Sequence, residues 1–341
     1  MFGSKKVRVG INGFGRIGRA LFRLSLEEKN LEIVAINDLG DIQNLAYLLK
    51  HDSVYRTFYA DVGTDGQNLM VNGRRIPVLN EKDPTKLPWR DMNIDVVVES
   101  TGIFDDYEKA NAHIVAGAKH VVISAPVKAD AANGATVLMG LNEEKLSTCA
   151  VTSNASCTTN SVSPVIAILD EKIGIEKALL NTTHSYTATQ SIVDSPVKGS
   201  DFRRGRAAAQ NMSPSSTGAA VAVTKAYTQL AGKFDGIAVR VPTVAGSLAD
   251  LTFIAKRDTT VEEVNKILED AAKEPRWEGI FMATHEQLVS SDIIGNTHAS
   301  IADLEMTRVV GGNLVKVLAW YDNEMGYAHT LLMHVKKAGP R

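Results

Sequence analysis

The β-branched run Val7-Arg8-Val9-Gly10-Ile11 leads directly into Gly13-Phe14-Gly15-Arg16-Ile17-Gly18. A GxGxxG is a weak signal by itself. Here it follows a strand pattern and opens a helical one over 17–26, and a second strand pattern over 31–37 ends beside Asp38. Strand, glycine turn, helix, strand and acid in that order read as a dinucleotide-binding unit, which commits this part of the chain to a parallel sheet. The glycines permit the tight turn and let backbone approach a pyrophosphate. The helix start offers it N–H groups and a favourable dipole. Asp38 is placed to bond ribose hydroxyls and repel a 2′-phosphate. The competing reading is a glycine-rich turn without a ligand, and the surrounding context weighs against it.

Further strand patterns at 96–100 and 120–124 extend a doubly wound α/β domain to about residue 155. The middle of the chain differs. Strand-like stretches at 178–183, 236–241, 248–255 and 315–320, with a helical one at 260–269, predict an α+β domain with a mostly antiparallel sheet. Residues 185–216 are polar and rich in Arg, Ser and Gly, and a connection of that length is usually functional or disordered. The expected division is a dinucleotide domain at 1–155, a second domain at 156–322, and a helix at about 323–341 that packs back on the first. A chain of 341 residues is long enough for both.

A net charge of −2 gives no electrostatic reason to expect nucleic acid or an anionic membrane. No apolar run is long enough to span a bilayer. The leading Met1-Phe2-Gly3-Ser4-Lys5-Lys6 carries no apolar signal core, so a cytoplasmic protein is expected. The two cysteines, Cys149 and Cys157, make neither a disulfide scaffold nor a metal site, and no metal is expected. Cys149, in the strand-like alternation of 147–152, reads as a buried small hydrophobe.

Cys157 reads differently. In Ser153-Asn154-Ala155-Ser156-Cys157-Thr158-Thr159-Asn160 it stands just before an apolar run, with Ser156 as N-cap and Cys157 in the first helical turn. The helix start favours thiolate, the nucleophilic form. A nucleophilic cysteine needs a base, and eight histidines compete. His184, at the end of strand 178–183 beside the polar loop, is favoured; the other seven read as surface or packing residues. With a nicotinamide site, such a thiolate adds to an aldehyde to form a hemithioacetal. Loss of hydride then leaves a thioester for water or phosphate to attack. Anion-binding groups are available: Ser156 and Thr158 beside the cysteine, the turn Ser215-Ser216-Thr217-Gly218-Ala219-Ala220, and Arg240 within an apolar strand. Plain helix capping and an outward-facing arginine remain open alternatives.

Together these segments resemble phosphorylating glyceraldehyde-3-phosphate dehydrogenases over nearly the whole chain. The resemblance is carried by residues 9–19, 153–160, 183–190, 203–209, 215–220 and 320–324. It implies Cys157 as nucleophile and His184 as base. It implies Thr187, Thr189 and Arg240 as the site for the substrate's phosphate, and Ser156, Thr158, Thr217 and Gly218 as the site for inorganic phosphate. Gly13, Phe14, Gly15, Arg16, Ile17, Asp38, Lys82, Thr101, Ser124, Asn323 and Tyr327 match cofactor contacts, Asn323 holding the nicotinamide carboxamide. The loop 185–216 is similar to one that lines a neighbouring subunit's cofactor site, which implies a homotetramer. Leu39 and Pro196 resemble NAD-dependent members, whereas Gly40 resembles some dual-cofactor ones and Ser195 departs from the Leu of bacterial members. NAD with some NADP use is therefore expected. Met325 stands where the family usually has Trp. The resemblance implies oxidative phosphorylation of glyceraldehyde 3-phosphate. Erythrose-4-phosphate dehydrogenase and a non-catalytic binding protein are the alternatives.

Overall fold

The computed structural model describes residues 6–129, 131–197 and 199–340. Five residues of the leading hexapeptide, Asp130, Lys198 of the long loop and Arg341 at the end of the expected terminal helix lie outside the described residues. The chain forms two units. One comprises Met1–Val137, Glu143–Ala155 and Ala328–Arg341; the other comprises Leu138–Asn142 and Ser156–Tyr327.

The first unit is built on a nine-stranded sheet. Its central strand, Val7–Asn12, is parallel to Leu31–Asn37 on one side and to Val96–Glu99 on the other. His120–Ile123, Val151–Ser153 and Gly134–Thr136 continue the parallel sheet beyond Val96–Glu99. Arg74–Leu79 adds a parallel strand on the opposite flank, and Asn68–Val71 and Val62–Asp65 finish that edge antiparallel. Strand order thus reverses at Val7–Asn12, where an open α/β sheet leaves a crevice at its carboxyl ends. Val9, Ile11, Val96, Val97, Val98, Val121 and Val122 are fully buried. Runs of this kind are apolar on both faces because parallel strands are covered on both sides.

The second unit opens with the helix Cys157–Ile173, in which every residue from 158 to 169 is buried. Its seven-stranded sheet has the order Ser213–Ser216, Phe234–Val241, Ile175–Ser185, Ser247–Ala255, Leu314–Tyr321, Ser300–Val310 and Phe281–Thr284. Four of the six pairings are antiparallel; Ile175–Ser185 with Phe234–Val241, and Phe281–Thr284 with Ser300–Val310, are parallel.

Several elements differ from the sequence reading. Three strands of this sheet were not expected. Ser213–Ser216 is an edge strand of serines and a proline, a residue that edges tolerate. Ser300–Val310 carries charged residues and a register shift between Asp303 and Arg308, which breaks its alternation. Phe281–Thr284 is only four residues long. The expected loop 185–216 is correspondingly shorter and contains a 3₁₀ turn at Phe202–Gly205. Cys149 is not in a strand: it follows the 3₁₀ helix Glu143–Ser147, donates its N–H to Lys145 O, and is buried.

Candidate active site

In the first unit, a crevice of about 470 Å³ opens at the carboxyl ends of the central strands. Asn12, Gly13, Gly15, Asn37, Asp38, Lys82 and Thr101 are among its lining residues, and Leu39, Pro84, Ile103 and Phe104 give it apolar walls. The three glycines have separate physical reasons. Gly13 has φ of +96°, and a Cβ there would lie 2.6 Å from Thr101 N. Gly18 packs its helix so tightly against the loop that a Cβ would collide with Gly13 O. A Cβ on Gly15 would meet nothing, so the room it leaves faces open space. Gly15 is also the N-cap of helix Arg16–Ser25 and supplies no capping side chain. An uncapped helix start beside an open lining glycine fits a pyrophosphate.

Asp38 directly follows the second strand, Leu31–Asn37. Its carboxylate accepts from Phe14 N at 2.6 Å and from Gly40 N at 2.8 Å, so it also ties down the glycine turn. Phe14 contributes backbone only, its ring being buried. Arg16 and Ile17 form the first helical turn, and the Arg16 guanidinium pairs with Asp52 at 2.7 Å. Ser124 does not line the crevice; its N–H bonds Glu99 O at the end of the neighbouring strand. Sequence reasoning missed Asn12, Asn37, Glu81 and Phe104, whose polar or apolar type carries no motif.

In the second unit, Ser156 caps the long helix, accepting from Thr159 N at 3.1 Å, and Cys157 is the first helical residue. Its Sγ lies 3.3 Å from His184 Nε2. His184 is not after its strand but within it, one residue from the end of Ile175–Ser185. The register sets Arg240 directly beside it on Phe234–Val241. Arg240 Nη1 reaches His184 Nδ1 at 2.7 Å and donates to Ser185 O at 3.1 Å. Arg240 therefore does not face outward, and its Nε is buried without a partner.

Burial first, and then the Arg240 charge, push the His184 imidazole down to about 3, so it is neutral near pH 7. Burial also pushes the Cys157 thiol up, with Arg240 and Thr158 pulling the other way. Desolvation thus opposes the thiolate that the helix start favours. Both directions favour the neutral pair, thiol and imidazole, over the ion pair.

Thr187 and Thr189 stand together, their hydroxyls 3.0 Å apart. Arg204, which the motifs did not single out, donates to Thr189 Oγ1 and Ser215 Oγ, each at 3.1 Å. Thr217 Oγ1 accepts from Ala219 N, and Gly218 begins the helix Ala219–Ala226 without a side-chain cap. Thr158 turns its hydroxyl to Tyr321 Oη at 2.8 Å. Tyr321, also unforeseen, is buried edge-on against His184 with ring centroids 5.8 Å apart. Asn323 Oδ1 accepts from Gly246 N and Ser247 Oγ, both at 3.1 Å, which sets the orientation of its amide. Met325 and Tyr327 are buried, so methionine fills its apolar position. No cluster of metal-ligating side chains occurs among the described residues.

A dinucleotide fold in one unit and a cysteine paired with a neutral histidine in the other define an oxidoreductase that works through a thiol. Family models agree on which: "Glyceraldehyde 3-phosphate dehydrogenase, NAD binding domain" matches residues 7–107, and the corresponding "C-terminal domain" matches 156–323. The chain is 48% identical to a glyceraldehyde-3-phosphate dehydrogenase of Priestia megaterium over 96% of both chains. It is 50% identical to one of Thermotoga maritima, covering 95% of this chain and 97% of the relative. It is 45% identical to glyceraldehyde-3-phosphate dehydrogenase B of Aspergillus oryzae over 95% and 96%. The chain belongs to the glyceraldehyde-3-phosphate dehydrogenase family, and its cofactor is NAD.

Proposed function

We propose that this protein oxidises D-glyceraldehyde 3-phosphate to 1,3-bisphosphoglycerate with reduction of NAD. The observation that carries the reading is the 3.3 Å approach of Cys157 Sγ to His184 Nε2, with Arg240 and its unpartnered Nε against the same imidazole. His184 takes the thiol proton as Cys157 attacks the aldehyde and returns it to the aldehyde oxygen, giving a hemithioacetal with the imidazole neutral again. His184 then takes the hydroxyl proton as hydride departs, leaving a thioester on Cys157. NAD, held by the glycine turn and Asp38, supplies the hydride acceptor. Thr187, Thr189 and Arg240 hold the substrate's phosphate. Ser156, Thr217 and Gly218 hold the inorganic phosphate that attacks the thioester, and Arg204 adds a cation beside Thr189 and Ser215. Thr158 acts through Tyr321 as well as toward phosphate.

The working form is a homotetramer in the cytoplasm, with NADP a poorer cofactor. Ile192, Val193, Phe202 and Met212 on the long loop are at least 70% exposed, and apolar surface of that kind is suited to a second copy. Both cysteines are free, in keeping with a reducing compartment. Sedimentation of the purified protein tests the assembly. Initial rates with NAD or NADP, with and without phosphate or arsenate, test the reaction. Turnover indifferent to phosphate would overturn the phosphorylating reading, and a preference for erythrose 4-phosphate would favour the related hydrolytic enzyme.

A further inference from the structure

Beneath the dinucleotide crevice lies a buried carboxylate. Glu99 ends the strand Val96–Glu99 and is 2% exposed. Its Oε1 accepts from Thr101 N at 2.8 Å and Thr101 Oγ1 at 2.5 Å. Its Oε2 meets Asn12 Nδ2 at 2.5 Å and His113 Nε2 at 3.0 Å. An ionised carboxylate has about four acceptor positions, so all are matched if His113 donates.

Trp89 decides that it does. The Trp89 Nε1–H can only donate, and it lies 3.0 Å from His113 Nδ1. Nδ1 must therefore present a lone pair, which leaves the proton on Nε2 facing Glu99. Trp89 cannot swing away, because it is fully buried among Leu87, Ile94, Val97, Ala116 and Ala118. His113 is itself fully buried, and Phe104 packs edge-on against it at 6.2 Å. The consequence reaches the crevice at several points. Thr101, Asn12 and Phe104 all line it. Asn12 Oδ1 accepts from Asn37 Nδ2, and Asn37 Oδ1 accepts from Glu81 N, two further lining residues.

We propose that His113 is a positioning residue for the dinucleotide, its ring relaying the fixed Trp89 donor to Glu99 and so setting Thr101 and Asn12 on the crevice floor. The proposal rests on the reading that NAD occupies this crevice. Without the imidazole, Glu99 lacks one donor in a dry site, and its carboxylate shifts to find another, loosening its hold on Thr101 and Asn12.

The test is NAD titration by calorimetry on cofactor-stripped protein, with ¹⁵N NMR of the histidine rings. The parent is expected to show His113 with Nε2 protonated and Nδ1 bare. His113→Phe, which keeps an aromatic ring, is expected to weaken NAD binding about tenfold or more. His113→Gln, whose amide can both accept and donate, is expected to recover most of the affinity. Trp89→Phe is expected to release the tautomer and is read by NMR even if His113→Phe fails to fold. Parent-like NAD affinity in folded His113→Phe, or an Nδ1-protonated ring in the parent, overturns the proposal. Gly15→Val separates the underlying reading: if that variant binds NAD as the parent does, the crevice is not the site and the proposal falls with it.

Discussion

Arg240 Nη1 sits 2.7 Å from His184 Nδ1, across a parallel strand pair in which the two residues are direct register partners. The same Nδ1 is 2.6 Å from Ser185 O. A carbonyl can only accept and a guanidinium can only donate, so one nitrogen cannot satisfy both. With the proton on Nδ1, Ser185 O is served and Nε2 faces Cys157 as a base. With the lone pair on Nδ1, Arg240 is served and Nε2 instead donates toward sulfur. An anion that draws Arg240 away selects the first arrangement, the one able to deprotonate the thiol.

Arg240→Met is therefore expected to act twice. Loss of a charge-assisted contact raises KM for the phosphorylated aldehyde about tenfold or more. It also removes a cation that lowers the His184 pKa. The base works when neutral, above its pKa, so a raised pKa moves the acid limb of kcat/KM to higher pH. A pH–rate profile checks this, and an unmoved acid limb would mean that Arg240 does not control the imidazole.

Cys157→Ser is expected to lower turnover by about a thousandfold or more while leaving NAD titration unchanged. In the parent, alkylation by iodoacetate in the absence of substrate should keep rising above the ordinary thiol range, since burial raises the pKa. A rate that already levels off near neutral pH would show that the free enzyme holds thiolate.

The two glycines of the turn should part company. Gly18→Ala forces a Cβ into Gly13 O and is expected to cost about 1–3 kcal/mol, seen as a lower thermal midpoint. Gly15→Ala meets no atom and should fold like the parent, yet bind NAD less tightly. Equal NAD affinity in Gly15→Ala and the parent would show that no ligand approaches there.

Stability should fall on mild acidification. His184 and His334 are buried, and burial lowers each to about 3. His334 is held between Thr152 Oγ1 at 2.8 Å and Asn154 Oδ1 at 3.2 Å. Each folded pKa lies below the unfolded value of about 6.5, so below that pH the unfolded chain binds protons the native one refuses. The stability is complete above about pH 6.5 and declines as pH falls, by up to about 1.4 kcal/mol per unit for each histidine. Urea midpoints at pH 7 and pH 5 check it, with His334→Gln expected to flatten the dependence.

Local rules reached far into this chain. The cap at Ser156, the first-turn place of Cys157 and the glycine turn depend on residues adjacent in sequence, and Asp38 follows from the regular length of one strand–helix–strand unit, so each could be read there. Tyr321 against His184, Arg204 between Thr189 and Ser215, and the buried ring of His113 depend on strand order and register. No nearby residue announces them, and His113 read as one of seven interchangeable histidines. The Cys157 thiolate was read from the same local rules: the dipole belongs to its own helix, whereas the desolvation that opposes it comes from elements that pack on it.

Asp38 carries two tasks with one carboxylate, holding the glycine turn through Phe14 N and Gly40 N while facing the crevice. That sharing limits how cofactor preference can evolve. A replacement of Asp38 that removes its carboxylate to admit a 2′-phosphate also removes the acceptor of Phe14 N and Gly40 N. A lineage that drifts toward NADP through Asp38 therefore needs another acceptor for those two N–H groups, which ties the order of its substitutions to the integrity of the turn.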